Sequence, residues 1–228
     1  MALVALAAVA LTGCATGSDV TPEKKPAATS SAENGSENSA AKDPAACDYA
    51  PSGNASKKVE LPSGPKPSGT VTVTLKTSVG ELTAQLDADR APCTVESFVS
   101  LAEQGFFNST SCHRLTTDGI YVLQCGDPTG LGSGGPGYSF ADELSKTASS
   151  DYIPGTLATA NAGPDTNGSQ FFLVYGDSTG LPPAYTVFGF LEPASLDLVK
   201  SVAAAGTISG GPDGAPKKKV TIDSVSVG

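Results

Sequence analysis

The stretch that most constrains the fold is residues 155–172, GTLATANAGPDTNGSQFF. Residues 156–160 alternate like a half-buried strand, and a second apolar run begins at the closing phenylalanines. The Gly-Pro and Asn-Gly pairs between them favour a tight, irregular loop. Two strands joined in this way place the side-chain amides of Asn161 and Gln170 beside Phe172, where they can bind a peptide backbone. On composition alone, a polar surface loop is the alternative.

Short runs in which apolar and polar residues alternate, as in β-strands, recur along the chain. This period of two residues changes to a helical period in only two places. Two stretches have helical periodicity, residues 93–104 and 195–205, and a glycine follows each. The loops between strands are mostly too short for parallel crossovers, which favours antiparallel pairing. We therefore expect a mainly β fold, a closed eight-stranded antiparallel barrel capped by two α-helices. The predicted strands cover residues 70–76, 81–86, 111–115, 121–125, 156–160, 170–175, 185–191 and 220–227.

The N-terminal part differs in composition from the rest. Residues 2–11 are a continuous apolar run, too short for a bilayer span of about 20 residues but suited to a secretory signal. The Leu-Thr-Gly-Cys sequence that ends at Cys14 resembles a bacterial lipobox, so residues 1–14 are predicted as a signal peptide with a lipid-attachment cysteine. Residues 15–67 contain few large apolar side chains and are predicted to be a disordered linker. Residues 68–228 then form one domain of roughly 160 residues.

Charge and cysteine content restrict the class of function. A formal net charge of −9, without a basic stripe, argues against binding nucleic acid. Metal-ligand spacing of cysteine and histidine is absent from the sequence, so no metal site is predicted. Besides Cys14 there are four cysteines, which allow three pairings. We favour Cys112–Cys125, near the outer ends of a predicted hairpin, which leaves Cys47–Cys93; free buried thiols are the alternative.

Nucleophilic chemistry has little support in the residues. The GxSxG pattern is absent, and a Ser-His-Asp triad would need His113, the single histidine, which stands directly beside Arg114. We predict that His113 is structural and faces away from the binding groove. No spacing singles out a pair of carboxylates either.

Three motifs resemble those of the cyclophilin-type peptidyl-prolyl cis-trans isomerases. They are ANAGPDTNGSQFF, CHRL at residues 112–115 and YVLQCGD at residues 121–127, within a resemblance that covers residues 70–227. The resemblance implies an eight-stranded barrel with two helices and isomerisation of X-Pro bonds without a cofactor. It implies a catalytic group of Arg114, Gln124 and Phe172. The substrate-binding residues that it implies are Tyr121, Val122, Ala160, Asn161, Gln170, Leu181 and Tyr185.

The lipobox and the resemblance together predict an extracytoplasmic, lipid-anchored monomer of a Gram-positive bacterium that acts on proline-containing segments of exported proteins. Gly180 stands where eukaryotic relatives have Trp, so we expect weak binding of the drug cyclosporin. The alternative hypothesis is a non-catalytic proline-binding or chaperone module that uses the same groove. Arg114 separates the two, since simple binding has less need of a cation.

Overall fold

The computed structural model describes residues 47–64 and 66–228. The predicted signal peptide 1–14, its Cys14 and residues 15–46 of the predicted linker lie outside the described residues. Within those ranges, no helix has both the length and the apolar character needed to cross a membrane.

Twelve β-strands and two α-helices make up the described part of the chain. The helices, α1 (Pro92–Glu103) and α2 (Pro193–Ala203), lie within two residues of their predicted bounds. The predicted strand at 111–115 is divided into two, and three strands of two residues each were not predicted. In chain order the strands are β1 (Ala50–Pro51), β2 (Thr70–Thr77), β3 (Gly80–Asp87), β4 (Thr110–Ser111), β5 (Arg114–Thr116), β6 (Val122–Cys125), β7 (Tyr138–Ser139), β8 (Thr156–Thr159), β9 (Phe171–Val174), β10 (Val187–Leu191), β11 (Asp213–Gly214) and β12 (Thr221–Val227).

Ten of these strands form one antiparallel sheet in the order β11-β5-β6-β9-β8-β10-β3-β2-β12-β4. The mainly β class with two helices is confirmed, but the closed eight-stranded barrel is wrong. The sheet is a curled half-barrel whose ladder ends at β11 and β4. It breaks between β4 and β5, because Cys112 donates its N–H to Val220 (2.9 Å) while the next residue, His113, donates to Gln124 on β6 (3.0 Å). The chain thus leaves one ladder and enters another within two residues.

The helices cover the concave side of the sheet and complete the main core. Apolar residues of α1 at helical spacing, Val95, Phe98 and Leu101, are each at most 5% exposed. The ring of Phe98 stacks on Phe107 at 4.9 Å and meets Phe171 of β9 edge-on at 5.4 Å. Burial of each such side chain contributes about 1.5–3 kcal/mol, so this cluster fixes α1 against the sheet.

Residues 47–64, which we call the N-terminal arm, pack against the domain. A disulfide joins Cys47 to Cys93 at the start of α1. The Tyr49 hydroxyl donates to the Cys93 carbonyl (2.8 Å), and strand β1 pairs with β7. The predicted linker therefore includes, in its last part, residues that the structure holds on the domain. A cross-link and the half-buried ring of Tyr49 attach this segment, although its composition is polar.

A second disulfide joins Cys112, just before β5, to Cys125 at the end of β6. Both disulfides are the pairings favoured from the sequence. Because β5 and β6 are directly paired, this cross-link fixes two strands at the position where the sheet breaks.

The backbone at Gly126 predicts a position that accepts only glycine. Its φ is +89°, and an added Cβ would lie 2.2 Å from the carbonyl oxygen of Ser169. We expect Gly126→Ala to lower the free energy of unfolding by about 3 kcal/mol, through left-handed strain together with a backbone clash.

The matched control is Gly130→Ala, because Gly130 has a φ of +69° with nothing within 4 Å of an added Cβ. Strain alone should cost this variant about 1 kcal/mol. Urea unfolding of both variants measures the difference, and equal losses would contradict the proposed clash.

Candidate active site

A small cavity of about 180 Å³ opens on the convex side of the sheet, where β5, β6, β8 and β9 run side by side. Its walls combine apolar side chains with one cation and two amides. The lining residues are Arg114, Ile120, Val122, Gln124, Ala160, Asn161, Phe172, Leu181 and Tyr185. All but Ile120 were predicted from the sequence as site residues.

The floor of the cavity belongs to a second apolar cluster, separate from the main core. Phe172 is 4% exposed and packs with Val122 of the neighbouring strand and with the fully buried Tyr152. The ring of Tyr185 meets Phe172 edge-on at 5.5 Å and forms one wall. The arrangement gives a rigid apolar recess that is open to the convex side.

Tyr152 holds the Tyr185 wall in place and was not predicted from the sequence. Its hydroxyl donates to the carbonyl of Tyr185 (2.9 Å) and accepts from the N–H of the same residue (3.1 Å). Tyr152 lies in an irregular segment between a short 3₁₀ helix (Ser149–Asp151) and β8, so strand or helix periodicity offers no signal for it.

Arg114 stands at the rim of the cavity and is held by Asp213 of β11. Its Nε donates to Asp213 Oδ1 (2.9 Å) and its Nη2 to Oδ2 (2.7 Å), which is the bidentate arrangement of a guanidinium and a carboxylate. These hydrogen bonds raise the pKa of Arg114 and lower the pKa of Asp213. The side chains are 41% and 52% exposed, so the pair contributes little to folding and mainly orients the cation.

The remaining terminal nitrogen of Arg114 points towards Gln124, which begins a line of amides. Arg114 Nη1 lies 3.4 Å from Gln124 Oε1, and Gln124 Nε2 donates to Gln170 Oε1 (2.9 Å). Gln170 Nε2 donates to the carbonyls of Gly132 and Gly134, both at 3.0 Å. The amide of Gln170, predicted to contact substrate, is thus used to hold the glycine-rich loop.

The other predicted amide, Asn161, is also used within the protein. Its Nδ2 donates to the Ala184 carbonyl (2.8 Å), next to Tyr185, and its Oδ1 accepts from the N–H of Gly163 (3.3 Å). Ala160 donates its N–H to Gln170 (2.9 Å) and lies at the cavity edge. These contacts fix the loop of the 155–172 stretch against the far wall.

Tyr121, predicted as a pocket wall, does not line the cavity. Its ring meets Tyr175 edge-on at 5.9 Å, and its N–H donates to Ser178 Oγ (2.9 Å). Ile120 takes the wall position instead. Side chains alternate along a strand, so Ile120 shares a face with Val122 and Gln124 while Tyr121 faces the other way. This alternation was the signal in the sequence that could have identified Ile120 as a residue of the cavity wall.

A larger cavity of about 540 Å³ adjoins the first and shares three of its residues, Gln124, Ala160 and Asn161. The glycine-rich loop at residues 132–136 borders it, and Asp127 organises that loop. Burial would raise the pKa of Asp127, but hydrogen bonds from Thr129, Gly134 and Gly132 outweigh it and lower the pKa. The carboxylate therefore stays charged and anchors the loop.

His113 lines neither cavity, as predicted for a structural histidine. Desolvation lowers its pKa, and Arg114 lowers it further against the opposing effect of Asp127. The imidazole is therefore neutral at pH 7, next to a strand residue that must remain a cation. Within the ranges that the structure describes, no cluster of His, Cys, Asp and Glu could hold a metal ion.

Sequence comparison gives a family for this arrangement. A family model described as "Cyclophilin type peptidyl-prolyl cis-trans isomerase/CLD" matches residues 72–227. The chain is 50% identical over 185 residues to a "Probable peptidyl-prolyl cis-trans isomerase B" of Mycobacterium tuberculosis, covering 75% of this chain and 60% of that protein. A protein of the same name from Mycobacterium leprae is 47% identical over 188 residues, with 75% and 62% covered. The chain thus spans about 60% of the length of these relatives.

Three further comparisons cover nearly the whole of the other protein. "Peptidyl-prolyl cis-trans isomerase A" of Mycobacterium tuberculosis is 37% identical over 179 residues, which cover 71% of this chain and 94% of that one. A solved cyclophilin type peptidyl-prolyl cis-trans isomerase of Cryptosporidium parvum aligns with a TM-score of 0.61 and 28% identity, over 70% of this chain and 98% of that chain. A second structure of that protein, in the presence of the dipeptide Ala-Pro, aligns with the same TM-score over 69% of this chain and 98% of that one.

The contacts of Tyr152 predict a measurable role in holding the cavity wall. We expect Tyr152→Phe to lower the free energy of unfolding by about 1–3 kcal/mol, because a buried hydroxyl with two hydrogen bonds is removed and the main chain of Tyr185 loses both partners. Tyr121→Phe is the control, since the Tyr121 hydroxyl makes no hydrogen bond to the described residues and its removal should change stability by less than about 0.5 kcal/mol. Equal effects in denaturant unfolding would contradict this role of Tyr152.

Proposed function

Since the chain belongs to the cyclophilin family of peptidyl-prolyl cis-trans isomerases, we propose that it catalyses cis/trans isomerisation of X-Pro bonds in polypeptides. The observation that carries the proposal is the pairing of an apolar recess with an oriented cation. The recess is formed by Phe172, Val122 and Tyr185. Arg114 lies at its rim and is held there by two hydrogen bonds to Asp213.

The reaction needs neither a nucleophile nor a cofactor. Rotation about a peptide C–N bond has a barrier of about 18–20 kcal/mol, because the bond has partial double-bond character. The proline ring would occupy the recess above Phe172 while the flanking carbonyl group rotates. An N–H of Arg114 donated to the prolyl nitrogen would favour the pyramidal nitrogen of the twisted state and so weaken the C–N resonance.

The geometry of Arg114 suits this role. A guanidinium has five N–H donors, of which Nε and one on Nη2 are used by Asp213. Nη1 lies on the Gln124 side, where the two cavities meet, and one of its two N–H groups is left for substrate. Because the cation is held in place before substrate binds, it can stabilise the twisted state more than the planar ground state.

A non-catalytic binding module would need the recess but not this cation. The carboxylate that orients Arg114 therefore favours the enzyme over the binding module. A hydrolase is not favoured, because His113, the single histidine, lines neither cavity.

We further propose that the protein acts outside the cytoplasm on exported polypeptides, anchored through a lipid on Cys14. The two disulfides support this location, since such bonds form and persist in oxidising compartments. The anchor rests on the lipobox-like sequence, and mass spectrometry of the membrane-extracted protein would detect the lipid.

The role of Arg114 gives the central test of the proposed function. We expect Arg114→Ala to lower kcat/KM on an Xaa-Pro peptide by about 10²–10³-fold, the usual cost of removing a preorganised donor. Arg114→Lys should retain an intermediate activity, because an ammonium keeps the charge but cannot hold Asp213 bidentately. Exchange NMR on cis and trans peptide measures both variants, with unfolding curves to establish that they are folded. Wild-type rates in Arg114→Ala would overturn the mechanism.

Asp213 is predicted to act through Arg114. We expect Asp213→Asn to lower kcat/KM on the order of tenfold by releasing the guanidinium, with a change in stability of about 1 kcal/mol or less. The control is Asp223→Asn, an exposed carboxylate on β12.

The pH dependence of this effect has a definite sign. The guanidinium lowers the pKa of Asp213, so the ion pair is fully present above the ordinary carboxyl range and is lost only as pH falls through the lowered pKa. The ratio of wild-type to Asp213→Asn activity should therefore be constant from pH 7 to pH 5 and decrease in stronger acid. A ratio that already decreases between pH 7 and pH 5 would contradict the assignment.

A further inference from the structure

The larger cavity has a wall that comes from outside the main sheet. Ser52, Gly53 and Asn54 of the N-terminal arm line it, together with the loop at residues 160–162. The cavity shares Gln124, Ala160 and Asn161 with the recess that would hold proline, so one extended chain could run through both. The arm thus stands beside the path of any polypeptide longer than an X-Pro unit.

The arm is fixed on both sides of this wall segment. Before it, the Cys47–Cys93 disulfide and the rings around Tyr49 attach the chain to α1 and to Tyr138. After it, Ser56 exchanges two hydrogen bonds with Gly135, its N–H donating at 2.8 Å and its Oγ accepting at 3.0 Å. Lys57 then donates to the carbonyl of Phe106 (2.8 Å). Residues 52–54 are therefore a short, exposed bridge between two anchored points.

The chemistry of the cavity differs from that of the whole chain. The protein carries a formal net charge of −9, yet none of the residues that line this cavity is Asp, Glu, Lys or Arg. Its polar groups are hydroxyls and amides, contributed by Ser52, Asn54, Ser133 and Thr166 among others. Such a site suits a peptide backbone and a small or polar uncharged side chain, because a charged one would be desolvated without a partner.

We propose that residues 52–54 of the arm form part of the substrate-binding surface and select polypeptides with an uncharged residue beside the X-Pro unit. This inference rests on the proposed function, which supplies the polypeptide that runs through both cavities. Asn54 is the determining residue, since it is exposed and its side chain can be given either charge without disturbing the anchors on either side.

The test uses Asn54→Asp and Asn54→Lys in the full chain, with Ser63→Asp as a control elsewhere on the exposed arm. The substrates are a blocked Ala-Pro dipeptide and longer X-Pro peptides, extended on either side, that carry Ser, Asp or Lys at the flanking position. We expect Asn54→Lys to raise kcat/KM about two- to five-fold for the Asp peptide and to lower it similarly for the Lys peptide, on one side of the X-Pro unit. Asn54→Asp should show the opposite pattern.

The dipeptide separates this inference from the proposed function. Its turnover should be the same in wild type and in all three arm variants, because it is too short to reach the arm. No turnover of any substrate by the folded wild type would refute the isomerase. Turnover with no charge-dependent difference between the Asn54 variants, or equal changes on the dipeptide, would refute the arm's role alone. Peptide titrations by NMR in an Arg114→Ala background measure the same selectivity as binding, without turnover.

Discussion

The site depends on strands that bury both of their faces. Along β9, Phe171 and Leu173 point into the main core while Phe172 and Val174 point into the second cluster, and all four are at most 4% exposed. An antiparallel sheet usually buries one face and leaves the other to water. Here the residues beyond the strands, Tyr152 and the 181–185 segment, cover the convex face only in part. The uncovered part is the recess, so the cavity follows directly from how the second face is packed.

Polar contacts then orient the groups around this recess. Arg114 and Gln124 are opposite each other in the β5–β6 pairing, and the amide line continues through Gln170 to the glycine-rich loop. Asp127 also holds this loop, because its carboxylate accepts from the N–H of Gly132 and from that of Thr129, three residues before it. One continuous set of hydrogen bonds therefore joins the cation at the rim of the small cavity to the border of the large one. A displacement of either strand would disturb both cavities together.

The family resemblance named most of the residues that line the small cavity, and the remaining parts depend on contacts that neither the motifs nor local patterns contain. The structure brings Arg114 and Phe172, which stand in two different motifs, to one cavity. Asp213 lies 99 residues from Arg114 in a strand of two residues, too short to show any periodicity. The polar composition of the arm led to its prediction as part of the disordered linker. Cys47 and Tyr49 were the signal that the arm differs from the linker. The predictions of a closed barrel and of one strand at 111–115 were wrong for the same reason. The break between β4 and β5 is a change of hydrogen-bond partner, and no change of residue type marks it in the sequence.

The two disulfides are better explained by position than by loop size. Chain-entropy scaling gives a stabilisation of about 3 kcal/mol for Cys112–Cys125, which are 13 residues apart, and about 4 kcal/mol for Cys47–Cys93, which are 46 residues apart. This difference is too small to favour one disulfide over the other. Their locations differ more. Cys112–Cys125 joins the strands of Arg114 and Gln124 where the sheet is broken and pairing alone would hold them less firmly. Cys47–Cys93 fixes the arm, which has no strand partner besides β7 among the described residues. Cys112–Cys125 therefore adds a covalent link to the paired strands β5 and β6 beside the small cavity, and Cys47–Cys93 attaches the arm beside the large one.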